Sequence, residues 1–387
     1  MAGTFHTRGQ PTALAFVKRA VASVRPPHAL LLSGPPRVGK TTLLLDLAAG
    51  LLCLAEQPVD RPCRACLACR KVEAATHPDV HRLAPEGAGG QVRLGQVQAL
   101  ASDLALLPLE GRCRVAIIEH AQRMNPDAQN ALLKLLEEPP AQVTIALAAD
   151  EPAGLLPTVI SRCARVRLGP VAPAAIAQIL AQRAGMDIAR GESIGRQSAG
   201  QVGLALELAA RPELLIARGR LARSLLDLLD ADRRTRLGAA GQLIADGAEI
   251  AAGATAEASS AVEDEEAPKA LGVRTSSRGR GGRGVAKPAP AERRAAVAHV
   301  LDTWRELARD LALASRGGAA ELRGRDLIDE LAAAGKRTDG PQMVRFVERL
   351  EGASRALDAY ANPELVLDVL LVEWPRANAQ AGSSQAA

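Results

Sequence analysis

A chain of 387 residues is too long for one small core, and at about 150 residues per domain it implies two or three. Hydrophobic residues make up 48% and aromatics only 2%, so the expected core is aliphatic and carried on many helices. The net charge of +5, an arginine excess, is too small and dispersed to establish a nucleic-acid partner. No basic amino terminus leads into an apolar signal run, and the apolar stretches break well short of the roughly 20 residues of a membrane span, so a cytoplasmic protein without a membrane partner is expected.

In chain order, residues 28–32 read as a strand, followed by the loop Ser33, Gly34, Pro35, Pro36, Arg37, Val38, Gly39, Lys40, Thr41, Thr42 and a helical run over 43–52. Strand, glycine loop and helix in that order form a phosphate-binding loop. Backbone amides at the helix start surround a β-phosphate, Lys40 reaches the β/γ oxygens, and the Thr41 hydroxyl helps hold Mg²⁺. The ligand this predicts is ATP or ADP with Mg²⁺. A Cβ at Gly34 or Gly39 is expected to crowd the phosphates or forbid the required dihedrals. Further strands are expected at 79–83, 114–118, 144–148 and 164–168, alternating with helices as a parallel sheet requires.

Directly after the loop's helix, Cys63, Cys66 and Cys69 form C-x2-C-x2-C, with Cys53 ten residues upstream. Four soft ligands suit a closed, tetrahedral structural Zn²⁺. An iron–sulfur cluster is the rival, although the further Cys-Pro of bacterial ferredoxin runs is absent; unligated thiols are the third possibility. Cys113 and Cys163 stand apart and read as partly buried apolar fillers.

Pro170 and Pro173 mark a change to three short helices at 174–184, 188–197 and 202–210, with helical spacing continuing over 214–243. Residues 251–290 are rich in Ala, Ser, Gly, Pro and charge and read as a disordered insertion. Helical periodicity returns at 292–314, 319–334, 342–361 and 363–373, with Asn362 and Pro363 placed to start the last helix. The resulting division is 1–169 for the α/β nucleotide-binding domain with its zinc insertion, 170–212 for a small helical lid, 213–375 for a helical domain, and 376–387 for a disordered tail.

The phosphate loop, the four-cysteine insertion, the run Asn130-Ala131-Leu132-Leu133-Lys134-Leu135-Leu136-Glu137-Glu138-Pro139-Pro140 and Ser161-Arg162-Cys163 together resemble the clamp-loader AAA+ subunits of bacterial DNA polymerase III, the family of gamma/tau and delta-prime. The resemblance covers the amino-terminal two thirds well and the carboxyl-terminal helices by pattern. It implies a P-loop AAA+ domain with a parallel sheet, a helical lid and an all-helical collar. Its implied partners are the other loader subunits (gamma/tau and delta), the sliding clamp and primed DNA.

Within that pattern the active-site positions are altered. Where active relatives read Asp-Glu after the central strand, this chain has Glu119 and His120. Glu119 could serve Mg²⁺ through water, and His120 either polarises water weakly or merely packs at the strand end. The position matched to the polar γ-phosphate sensor is Ala149, and the lid arginine of Gly-x-x-Arg-x-Ala-Leu is Gly203. The glycine form tips the likeness toward delta-prime over gamma/tau. Arg162, by contrast, is intact; it reads as a guanidinium offered in trans to a neighbour's γ-phosphate, or as a surface arginine in an intrachain salt bridge. Lys134 can meet a DNA phosphate or simply be solvated, and aliphatic contacts around Val21 and Val24 are expected to form an adenine pocket.

The function expected is therefore that of a delta-prime-like loader subunit with weak or absent ATPase. An ATP-hydrolysing gamma/tau motor is the first alternative. A solitary zinc-containing P-loop NTPase or nucleotide kinase is the second, although the acceptor pocket and basic lid of a kinase are not evident.

Overall fold

The computed structural model describes residues 3–86, 90–260, 290–318, 322, 327–359 and 361–377. They fall into two units, Met1–Ala210 and Arg211–Ala387.

The first unit is built on alternating strands and helices. Its elements are α1 (Pro11–Ala22), β1 (Ala29–Ser33), α2 (Lys40–Leu52), α3 (Leu67–Glu73), β2 (Val80–Leu83), α4 (Leu94–Leu104), β3 (Arg114–Ile118), α5 (Pro126–Glu137), β4 (Val143–Ala149), α6 (Pro157–Ser161) and β5 (Ala164–Arg167). The strands form one parallel sheet in the order β2-β3-β4-β1-β5. Strands β3 and β4 are buried along their whole length, as expected of a parallel sheet covered on both faces. One face packs under α1 and α2 through Leu30, Leu32, Leu43, Leu47, Val115 and Ile117. The other packs under α4 and α5 through Leu31, Val97, Ala116, Leu132, Ile145 and Leu147. Asn125 caps α5, its side-chain oxygen accepting the Ala128 N–H at 2.8 Å, so this helix starts four residues before the Asn130 run.

Three further helices, α7 (Pro173–Ala184), α8 (Ile188–Gln197) and α9 (Val202–Ala210), complete the unit and bury Ile176, Leu180, Ile194 and Leu208. Asp187 caps α8 by accepting the N–H groups of Ala189 and Arg190.

The second unit is all-helical: α10 (Pro212–Asp227), α11 (Arg233–Gly238), α12 (Ala240–Ser260), α13 (Pro290–Ala314), α14 (Ile328–Gly335), α15 (Gly340–Asp358) and α16 (Pro363–Glu373). Both tryptophans of the chain meet in its core: Trp304, Phe346 and Trp374 have ring centroids 4.7 to 5.3 Å apart. The aliphatic core expected from composition thus acquires an aromatic centre here. Asn362 caps α16, accepting from Glu364 and Leu365.

One boundary is corrected. The insertion expected from residue 251 does not begin there, because α12 continues to Ser260; its alanines sustain the helix where composition suggested disorder. Residues 261–289 and 378–387, the remainder of the expected insertion and nearly all of the expected tail, lie outside the described residues, and Pro290 already opens α13.

Candidate functional site

The phosphate loop leaves β1 at Ser33 and enters α2 at Lys40, with Gly39 at φ +102° as the residue before the helix. Gly34, at φ +144°, has the dihedral that was expected to demand glycine. A Cβ there would also lie 2.1 Å from the carbonyl oxygen of Leu168, so the chain beyond β5 adds crowding of its own.

Lys40 is 8% exposed, and its ammonium makes three contacts within the protein: Gly34 O at 2.7 Å, Pro35 O at 2.6 Å and Asp150 Oδ1 at 2.7 Å. Asp150 stands just beyond β4, beside β1, where the ends of parallel strands present ligand-binding groups. Gln122 holds it in place, donating from Nε2 to Asp150 Oδ2 at 3.0 Å and accepting the Asp150 N–H at 3.2 Å. His120 Nδ1 lies 3.5 Å from the same Oδ2. Burial alone would raise the Asp150 carboxyl, but His120 and Lys40 outweigh it and hold the group down at about 2.

Ala149, the position matched to the polar sensor, presents no polar group here. Ala149 is fully buried in the core beneath α4 and α5, paired in register with Ser33, so its side chain faces away; the polar group that reaches the lysine is Asp150.

A cavity of about 740 Å³ opens over the loop, lined by Pro36 to Thr42, His6 to Arg8, His120 and Asp150, and on the helical side by Ile179, Val202, Gly203 and Leu206. Gln182 and Arg183 line the same side, so this wall is apolar with one cation at its edge. The expected contacts at Val21 and Val24 are not made: Val24 is 98% exposed, and Val21 is buried against Gly50.

Arg37, at φ +59°, joins the loop to α9. Its guanidinium pairs with Glu207 at 2.5 Å, and its carbonyl accepts the Gly203 N–H at 2.9 Å. A Cβ on Gly203 would come within 3.2 Å of the Arg37 Cβ, so the glycine allows α9 to approach the loop closely.

The two residues after β3 part company. His120, in the left-handed conformation (φ 48°), borders the cavity, whereas the Glu119 carboxylate accepts from Arg82 at 2.6 and 3.0 Å and is not among the cavity's lining residues. The expected Mg²⁺ role of Glu119 therefore has no support in this arrangement.

Arg162 follows α6 and also lies outside that lining. It donates to Thr158 O at 2.9 Å and pairs with Glu137 at 2.6 Å, its own side chain partly exposed and that of Glu137 exposed. The segment leading to it is pinned by Gln129, a buried residue the sequence reading passed over. Its Nε2 donates to Met124 O and Gly154 O, and its Oε1 accepts the Leu156 N–H at 2.7 Å. Lys134 is exposed on the outer face of α5.

Cys53 ends α2, Cys66 caps α3, Cys69 lies in its first turn, and Cys63 is on the intervening loop. The four sulfurs lie within 4.8 Å of one another, compatible with a tetrahedron of thiolates about 2.3 Å from one ion. Backbone N–H groups already point at them: Ala55 and Cys63 at Cys53, Cys66 at Cys63, and Cys69 at Cys66, all at 3.4 to 3.5 Å. Such donors favour the thiolate. Burial would raise Cys63, but the amides of Cys66 and Ala65 with the neighbouring thiols bring it to about 6. Burial pushes Cys53 and Cys69 up, so two of the four favour the thiol until a cation compensates them. The donor set fits zinc. Cys113 is partly buried and Cys163 buried, and burial pushes both thiols up to about 11. The module is tied to the loop's helix by buried Asp46, which accepts from His6 N, from Thr7 N and Oγ1, and from Arg64.

The family described as "DNA polymerase III, delta subunit" matches residues 9–172. Over 167 residues the chain is 35% identical to the DNA polymerase III subunit delta' of Bacillus subtilis, covering 43% of this chain and 50% of that one. It is 42% identical over 137 residues to the delta' subunit of Pseudomonas aeruginosa (35% and 41% of the two chains). With the tau subunit of Salmonella typhimurium it shares 33% over 160 residues (41% and 24%). The chain thus spans about half or less of the length of these relatives. Through this amino-terminal segment the chain is similar to DNA polymerase III delta' subunits, and to the tau subunit at lower identity.

Proposed function

We propose that the chain is a delta-prime-like subunit of a DNA polymerase III clamp loader, acting in the cytoplasm with gamma/tau and delta subunits to place a sliding clamp on primed DNA. In this reading its own ATPase is weak or absent, and Arg162 serves a neighbouring subunit's nucleotide. Residues 1–169 are the nucleotide-binding domain with a structural zinc on Cys53, Cys63, Cys66 and Cys69, 170–212 are the lid, and 213–375 are the oligomerising collar. Among the described residues no helix is long and apolar enough to cross a membrane.

The observation that carries the reading is the contrast between two cations. Lys40, which an ATPase needs for its own phosphates, is fully engaged by Gly34, Pro35 and Asp150. Arg162 is partly exposed outside that cavity on a segment fixed by Gln129, and its partner Glu137 is exposed; a pair of this kind contributes at most about 1 kcal/mol and is readily exchanged for a phosphate. The motor reading keeps one supporting observation, that Thr41 and Thr42 border the cavity together with the complete loop.

The test is assembly. Purified chain mixed with gamma/tau and delta subunits should enter one complex detectable by native mass. A chain that remains separate under conditions where those subunits associate would remove the loader reading.

A further inference from the structure

We infer that Asp150 makes the phosphate loop selective for a nucleoside diphosphate over a triphosphate. The inference deepens the reading above and rests on the loop taking a nucleotide at all.

An ammonium has three N–H groups, and Lys40 has three acceptors: Gly34 O, Pro35 O and Asp150 Oδ1, all at 2.6 to 2.7 Å. No donor is left for an incoming oxygen. In a phosphate loop this lysine serves the β- and γ-phosphates, while the backbone amides at the helix start hold the β-phosphate. Here the second duty is intact and the first is taken. Val38 to Thr42 border the cavity, and in a phosphate loop the amides of these residues receive the β-phosphate. A γ-phosphate would be brought to the lysine that already carries the Asp150 carboxylate, placing like charges together in a partly buried site.

Two features keep the carboxylate there. Gln122 donates to its Oδ2 and accepts its backbone N–H, so the backbone is pinned and rotating the carboxylate away breaks one further hydrogen bond besides the contact with Lys40. The other cation of the loop is also committed, since Arg37 pairs with Glu207 at 2.5 Å. Within the loop itself the charges of Arg37 and Lys40 are therefore balanced by Glu207 and Asp150, so the cations left for a phosphate are Arg8 and Arg183 on the other walls of the cavity.

The test is calorimetric titration of the full chain with ADP and with ATP, each with Mg²⁺, for the wild type and for Asp150→Asn. The wild type should bind ADP at least about tenfold more tightly than ATP, and the variant should bring the two within about threefold, chiefly by tightening ATP. Equal affinities in the wild type overturn the inference without touching the assembly reading, and this arm needs no variant to fold. A preference that survives Asp150→Asn removes Asp150 as its source. Binding of neither nucleotide to either protein overturns the inference together with the nucleotide reading, while native-mass assembly still reports separately on the loader reading.

Discussion

Placing an arginine at Gly203, as the family pattern implied, should damage the packing of α9 on the phosphate loop. In a helix, replacing glycine by arginine gains roughly 0.8 to 1 kcal/mol of propensity. Against this, the new Cβ meets the Arg37 Cβ at 3.2 Å where α9 lies on the loop, and overpacking of that kind costs about 1 to 3 kcal/mol. A second guanidinium beside Arg37 adds repulsion of about 1 kcal/mol after solvent screening, with one carboxylate, Glu207, to serve both. The net expectation is a loss of about 1 to 3 kcal/mol in the local opening free energy of residues 173–210. Arg37→Gly alone should be close to neutral, because relief of its φ of +59° (about 1 to 2 kcal/mol) offsets the lost ion pair. Combined, the two changes should largely cancel the Gly203→Arg defect, a coupling of about 1 to 3 kcal/mol. Hydrogen exchange across α7 to α9 in the four proteins of the cycle reads it directly. Unchanged protection in Gly203→Arg, or strictly additive effects, would refute the account of why glycine stands there.

Three further outcomes are expected. Protein purified without added metal should contain about one zinc per chain, and Cys66→Ser should lower that content and loosen residues 53–73; well-folded, reduced protein with far less metal would contradict the site. The Asp150 carboxyl lies near 2 when folded, below its ordinary 3.8, so its contribution of about 2 kcal/mol is present above about pH 4 and is lost as pH falls toward 2. The urea-midpoint gap between wild type and Asp150→Asn should accordingly narrow from about pH 5 to about pH 3; a constant gap would contradict the pairing. The isolated chain should turn over ATP far more slowly than roughly 1 s⁻¹, and turnover at that rate abolished by Lys40→Ala would revive the motor reading.

Much of the first unit was legible because its signals are local. Buried strands are short apolar runs between turn residues, and β3 falls on residues 114–118, where the pattern placed it. The four cysteines announce themselves by spacing. What escaped depends on side-chain direction and distance along the chain. β4 is buried on both faces, so no apolar–polar alternation shows which residue at its end faces the loop, and the contact of Asp150 with Lys40 was not foreseen. The available signal was a lone carboxylate closing an apolar run at the edge of the expected phosphate site. Arg37 and Glu207 are 170 residues apart, and nothing local joins them. Val24 was expected in a pocket on apolarity alone, yet it lies beyond the end of α1 and is solvated. The helix through residues 251–260 was masked by the low-complexity sequence that follows it.

The central claim is that the chain contributes catalytic charge to a neighbour and not to itself. It is tested most directly by the clamp- and DNA-stimulated ATPase of a loader assembled with Arg162→Ala, its occupancy verified by native mass. The guanidinium acts as charge develops on the transferring phosphoryl group, so the facing site should lose on the order of 10³-fold, with total turnover falling by that site's share. Assembly should be retained, because the lost contact with Glu137 is an exposed pair, and added ATP should not restore the rate. Normal stimulated turnover in a fully occupied complex would contradict the account and leave Arg162 as a surface ion pair.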